Sequence, residues 1–203
     1  YIEKQKEIKM DLEQLKIYAK ENHVPIVRDK TLEKLLEISR KEDVKKILEI
    51  GTAVGYSTIA MLKNNASVVM YTIEKDSERF RLAKQNIERA GYLRQTRLFN
   101  QDALETLQDL VKSGEKFDLV FLDGAKGQYI KYLPYLKQLL NKKGIIFADN
   151  INLLGYVNSD FVPHKHRSMV NNMKKFIEAL KNDSELVTTF HNIDDGFSIS
   201  QKI

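Results

Sequence analysis

The segment Ile47-Leu48-Glu49-Ile50-Gly51-Thr52-Ala53-Val54-Gly55-Tyr56-Ser57-Thr58 constrains this chain more than any other. An apolar run carrying one acidic residue meets Gly-x-x-x-Gly and then helix-compatible sequence. That order reads as a buried strand turning sharply over its C-terminal edge into a helix. Glycines at 51 and 55 let the backbone approach a ligand, and the helix start offers unpaired N–H groups. The spacing is not the Gly-x-Gly-x-x-Gly of a dinucleotide cradle, so a pyrophosphate ligand is disfavoured.

Strand and helix patterns alternate from Lys45 onward. Strands are expected near 47–50, 68–73, 96–99, 117–122 and 144–148. Helices are expected near 56–63, 76–90 with Asp76 as cap, 103–112, 129–140 around an awkward Pro134, and 167–181. Residues 185–192 and 197–201, joined by Asp194-Asp195-Gly196, read as an antiparallel hairpin. Before this core, Ile8, Leu12, Leu15 and Ala19 repeat at helical spacing, and Asp29 is positioned to cap a second helix. The fold class expected is α/β: a Rossmann-like, mostly parallel seven-stranded sheet ending in a hairpin, with helices on both faces. We expect one domain over 1–203 with an N-terminal helical extension to about residue 44.

The absence of cysteine removes disulfides, thiolate metal sites and Cys nucleophiles. The four histidines lack zinc-ligand spacing. No apolar stretch approaches the ~20 residues of a membrane span. Tyr1 to Asp11 is charged, without an apolar signal core, which leads to the expectation of a cytoplasmic protein with no membrane partner. A net charge of +5 permits a polyanionic partner without requiring one.

Ligands of such sheets bind beyond the strand C-termini, where the strand order reverses. At that edge the sequence places Glu49, Glu74, Asp102, Asp123 and the pair Asp149-Asn150. Each also suits a turn or a helix cap, but together they make a site. Glu74 can accept both hydroxyls of a ribose, and Asp102 stands where an adenine amino group could bind. The turn from Gly51 to Gly55 can hold an amino-acid tail, with Ser57 donating to its carboxylate. Asp123, Asp149 and Asn150 offer hard oxygen donors of the kind Mg²⁺ prefers.

The first motif resembles that of class I S-adenosylmethionine (SAM)-dependent methyltransferases. The segment from Phe117 through Asp123-Gly124-Ala125-Lys126, with Asp149-Asn150, resembles the metal-dependent catechol and caffeoyl-CoA O-methyltransferases. The likeness runs from about Val24 to the hairpin. It implies SAM as cofactor and a divalent cation, Mg²⁺ or another, on Asp123, Asp149 and Asn150. Cofactor contacts are then expected from Glu49, Gly51, Thr52, Gly55, Tyr56 and Ser57 after strand one. Val24, Glu74, Asp102, Ala103 and Asp123 complete the expected set. Lys126 and Asp123 are the expected catalytic pair, with Lys126 beside the acceptor hydroxyl.

A narrower resemblance is to bacterial tRNA 5-hydroxyuridine O-methyltransferases, carried by Asp123-Gly-Ala-Lys126-Gly-Gln-Tyr129 and by His164-Lys165-His166-Arg167-Ser168. It implies methylation of 5-hydroxyuridine at the tRNA wobble position. The tRNA anticodon loop is then the partner, with no role for DNA. Lys165, His166 and Arg167 are the RNA-binding candidates, since cations at a helix start oppose its dipole and suit a phosphate-facing role. The family also implies a homodimer. Two alternatives stand beside this reading: the same chemistry on a small catechol-like phenol, and a non-catalytic RNA-binding module on a methyltransferase fold. Tyr129, Tyr132, Tyr156 and Phe161 are the aromatic residues available to wall a phenol pocket.

Overall fold

In the computed structural model, residues 11–41 and 43–203 are described. Helices α1 (Leu12–Glu21) and α2 (Asp29–Ser39) precede the alternating core. The core runs β1 (Lys46–Ile50), α3 (Tyr56–Asn64), β2 (Val69–Ile73), α4 (Ser77–Arg89), β3 (Thr96–Phe99) and α5 (Ala103–Lys112). It continues with β4 (Phe117–Leu122), α6 (Tyr129–Leu139), β5 (Leu140–Asp149), α7 (Arg167–Lys181), β6 (Leu186–His191) and β7 (Phe197–Lys202). The seven strands lie in the order β3-β2-β1-β4-β5-β7-β6. β1 to β5 are parallel, and β7 is antiparallel to both β5 and β6. This is the Rossmann-like methyltransferase architecture expected from the sequence.

Both faces of the sheet are covered because its central strands are apolar in both phases. Leu48, Ile50, Val120 and Leu122 pack toward the cluster that includes α5, α6 and α7. Ile47, Leu119, Phe121 and Phe147 pack toward α1 to α4. Burying each such side chain stabilises the fold by about 1.5–3 kcal/mol relative to exposure. The strand order reverses between β1 and β4, so their C-terminal loops diverge and open a crevice.

Two local expectations change. Asp29 is not the cap of α2 but its first residue; Arg28 is the cap, and no side chain at that position satisfies the N-terminus. Asp29 instead pairs with the Lys16 ammonium at 2.6 Å. The free N–H of Thr31 is taken by Asp194, 2.9 Å away in the β6–β7 turn, a partner that local sequence does not announce. Strand β5 starts at Leu140, not Gly144, because Leu140 already pairs with Phe117 across a register shift. Helix α6 runs through Pro134 without ending. Ile8 of the first expected helix lies outside the described residues. Among the described residues, no helix is long and apolar enough to cross a membrane.

Candidate active site

A cavity of about 1030 Å³ lies in the crevice at the strand C-termini. Its floor is the loop after β1. Gly51 takes φ +104°, and a Cβ there would come within 2.5 Å of the Asp123 carbonyl oxygen, so this close approach of two loops demands glycine. Ala53 is also left-handed, at φ 48°, and its N–H donates to the Glu74 carboxylate at 2.9 Å. The Asp76 N–H donates to the other Glu74 oxygen at 2.9 Å. One carboxylate at the tip of β2 is thus fixed by two backbone donors, and both of its oxygens retain acceptor capacity.

Asp102 caps α5 by accepting from the Leu104 N–H at 2.9 Å, and it also lines the cavity. The Lys75 ammonium, 2.9 Å away, holds its carboxyl below the usual carboxylate range. Asp102 is therefore a helix cap that also borders the cavity.

At the opposite end, the Lys126 ammonium contacts the Asp123 carboxylate at 2.5 Å and the Tyr129 hydroxyl at 3.0 Å. The Tyr129 hydroxyl donates to the Leu122 carbonyl at 2.8 Å. Tyr129 is wholly buried, and burial raises its phenol well above its ordinary range. Asp149 is 2% exposed and accepts from the Asn150 N–H at 2.7 Å. Burial first, then the charge of Asp123, pushes its carboxyl up to about 7. Asn150 sits at φ 56°, a left-handed conformation that turns the chain sharply at the strand end.

Of the residues expected from sequence, Gly51, Glu74, Asp102, Ala103, Asp123, Lys126, Asn150 and His166 line the cavity. Val24, Thr52, Gly55, Tyr56 and Asp149 do not. Gly55 faces helix α4, where its Cβ would meet Ile87 at 3.3 Å. Glu49 and Ser57 sit below the cavity and do not line it. Glu49 is fully buried beneath the loop and accepts from the hydroxyls of Ser57, Thr58 and Thr72. Burial raises its carboxyl, and the three hydroxyl donors oppose that shift. The Ser57 hydroxyl is therefore spent on Glu49 at 2.5 Å and is not turned toward the cavity. These residues shape the loop from below.

Lys165 and Arg167 are exposed and lie outside the cavity lining, and the Arg167 guanidinium donates back to the Val162 carbonyl at 3.2 Å. Tyr132 and Tyr156 line the cavity, whereas Tyr129 is core and Phe161 is 74% exposed on the surface.

Sequence reasoning missed Asp195 and Arg28. Asp195 lines the cavity, is 7% exposed and accepts from the Leu154 N–H at 2.6 Å. It was legible only as a turn residue. The useful signal was topological: antiparallel pairing of Phe197 with Asp149 puts the hairpin turn beside the end of β5.

Asp123, Asp149 and Asn150 supply two carboxylates and an amide oxygen, a donor set that fits a hard divalent cation with the shell completed from outside. Among the described residues, no three His, Cys, Asp or Glu side chains gather to hold a metal.

A seven-stranded sheet of this order, with a cavity at its switch point, is the Rossmann-like fold of class I methyltransferases. The model of the O-methyltransferase family matches residues 4–203, and the chain belongs to that family. A Staphylococcus aureus structure, provisionally assigned as a caffeoyl-CoA O-methyltransferase, is 33% identical with a TM-score of 0.88. It covers 95% of this chain and 92% of its own. TomG of Streptomyces achromogenes, an O-methyltransferase of tomaymycin synthesis solved with SAM, is 25% identical with a TM-score of 0.84, covering 96% and 91%. The catechol O-methyltransferase of Niastella koreensis is 37% identical over 111 residues, 53% of this chain and 49% of its own length. This match therefore spans about half of that relative.

Proposed function

We propose that the protein transfers a methyl group from SAM to the 5-hydroxyl of uridine at the tRNA wobble position, with a divalent cation at Asp123, Asp149 and Asn150. SAM, when bound, supplies the electrophilic methyl carbon. The cation, when bound, supplies Lewis acidity. The remaining work belongs to the chain. Glu74 accepts the ribose hydroxyls, and Asp102 with Ala103 borders the adenine. With the Ser57 hydroxyl engaged by Glu49, the donors left for a carboxylate tail are the N–H groups of the α3 first turn, which have no intrahelical partner.

Lys126 contacts Asp123 at 2.5 Å, and from that place its ammonium stabilises the acceptor oxyanion. The acceptor O–H bond breaks, the O–CH₃ bond forms, the sulfonium becomes a thioether and one proton is released. Alignment of acceptor and donor supplies much of the acceleration.

One observation carries the choice of acceptor. The cavity is lined by Arg28 and Arg79, and the exposed Lys165 and Arg167 flank His166 in sequence. Such cations suit a polyanionic substrate. The second reading, a small phenol, is favoured by the apolar lining of Leu153, Leu154, Tyr156 and Met169. Mass spectrometry of nucleosides from 5-hydroxyuridine-containing tRNA, after incubation with SAM and Mg²⁺, tests the choice. Appearance of 5-methoxyuridine supports the tRNA reading, and turnover of catechols with none on tRNA overturns it. RNA binding without any turnover supports the non-catalytic alternative. The homodimer is part of the same proposal, and sedimentation equilibrium tests it.

A further inference from the structure

Two features of the cavity mouth have no task in methyl transfer itself. The first is Arg28. The lining cations Lys75 and Lys126 are neutralised by Asp102 and Asp123. Arg28 and Arg79 also line the cavity, and neither guanidinium has an anionic partner among the described residues. Arg79 lies in the first turn of α4, just beyond Glu74, on the cofactor side. Arg28 belongs to the other side. It caps α2, whose Thr31 N–H donates to Asp194, and the adjoining Asp195 lines the cavity and accepts from the Leu154 N–H in the loop that carries Tyr156. Arg28 therefore stands by the acceptor end.

The second feature is a stacked ring pair. Tyr156 and His166 lie with centroids 5.5 Å apart and planes 26° from parallel, and both line the cavity. Backbone hydrogen bonds hold the two segments that carry the pair. Tyr156 sits in the turn anchored through Leu154 to Asp195, and the His166 N–H donates to the Pro163 carbonyl at 2.9 Å. A preformed stack offers a flat surface to a third ring at little ordering cost. A guanidinium without a partner offers a two-pronged phosphate ligand.

We propose that the mouth recognises its acceptor as a nucleotide: the base extends the Tyr156–His166 stack and the nucleotide's own phosphate is bound by Arg28. This rests on the uridine reading above and adds a specificity determinant to it. A bare phenol would use the ring surface alone. Lys165 and Arg167, outside the cavity, are left to phosphates farther along the strand.

Steady-state kinetics test the proposal on 5-hydroxyuridine and on its 3′- and 5′-monophosphates, with product read by mass spectrometry. The wild-type KM for one monophosphate should lie about tenfold or more below that for the nucleoside, the size of a charge-assisted hydrogen bond. Arg28→Ala should collapse that ratio to near one, and Arg28→Lys should restore part of it. Tyr156→Ala should raise both KM values and leave the ratio, since it acts on the ring. Circular dichroism melts verify that each variant folds. A wild type without phosphate preference, or an Arg28→Ala variant that keeps it, overturns this inference while the uridine reading stands. No methylation of any 5-hydroxyuridine compound, with catechol turned over, overturns both.

Discussion

The Glu74 carboxylate is set in place before any ligand arrives, because the Ala53 and Asp76 N–H groups each hold one of its oxygens. A preorganised acceptor loses little freedom on binding. Glu74→Ala should therefore weaken SAM binding by about 1.5–3 kcal/mol, the value of a charge-assisted pair. Titration calorimetry measures it, and an unchanged affinity would remove Glu74 from the site. Asp123 and Asp149 form the other end. Replacing either with Ala should abolish Mg²⁺-dependent turnover while SAM binding persists, and EDTA should reproduce the loss; full activity in chelator would sink the cation's role. The places of these carboxylates at the sheet edge were legible in the sequence because Glu74 and Asp123 directly follow an apolar strand and Asp149 ends one. Ser57 was not, because the bond its hydroxyl makes is decided by Glu49, a buried carboxyl lying eight positions earlier.

The β6–β7 turn acts as a tie among elements far apart in sequence. Asp194 receives the Thr31 N–H and hydroxyl of α2 at 2.9 and 3.0 Å. Asp195 receives Leu154, and the Gly196 carbonyl receives the Ile151 N–H at 3.0 Å. The turn thus holds both the helix that carries Arg28 and the loop that carries Tyr156. Asp194→Ala removes a helix cap supplied from a distance, at a cost of about 1 kcal/mol. In a chain of this size the melting temperature should fall by about 2–4 °C. Calorimetric melting checks this, and an unchanged midpoint would show that solvent replaces the cap. The hairpin itself was legible from Asp194-Asp195-Gly196, as were the alternating strands and the extent of α7. Its partners were not. A cap 163 residues distant leaves no local pattern, which is why Asp29 looked like the cap and is in fact an ion-pair partner of Lys16. The early start of β5 was hidden for a related reason: Asn141, Lys142 and Lys143 read as a loop, and only pairing with β4 draws the chain into the sheet.

At the scale of the whole molecule, the proposed tRNA substrate makes charge the property to test. The chain carries a net +5, and its cavity is lined by Arg28 and Arg79, with Lys165 and Arg167 outside the lining. Sequence reasoning reached Lys165 and Arg167 from their place at a helix start; it could not tell that His166 alone of the three turns into the cavity. If an anticodon loop docks there, the two outward cations contact phosphates and not the reacting base. Replacing both with Ala should raise KM for tRNA and flatten its dependence on salt, because fewer counterions are released on binding; two lost phosphate contacts reduce the logarithmic salt slope by roughly 1.4–1.8. The free nucleoside lacks those phosphates and serves as the internal reference. Measuring kcat/KM for both substrates across a salt series separates the outcomes. An equal loss on tRNA and nucleoside would mean that Lys165 and Arg167 support the fold of the 159–167 segment, where Arg167 already donates to Val162. An unchanged salt slope with retained tRNA activity would move the phosphate contacts to another face of the molecule.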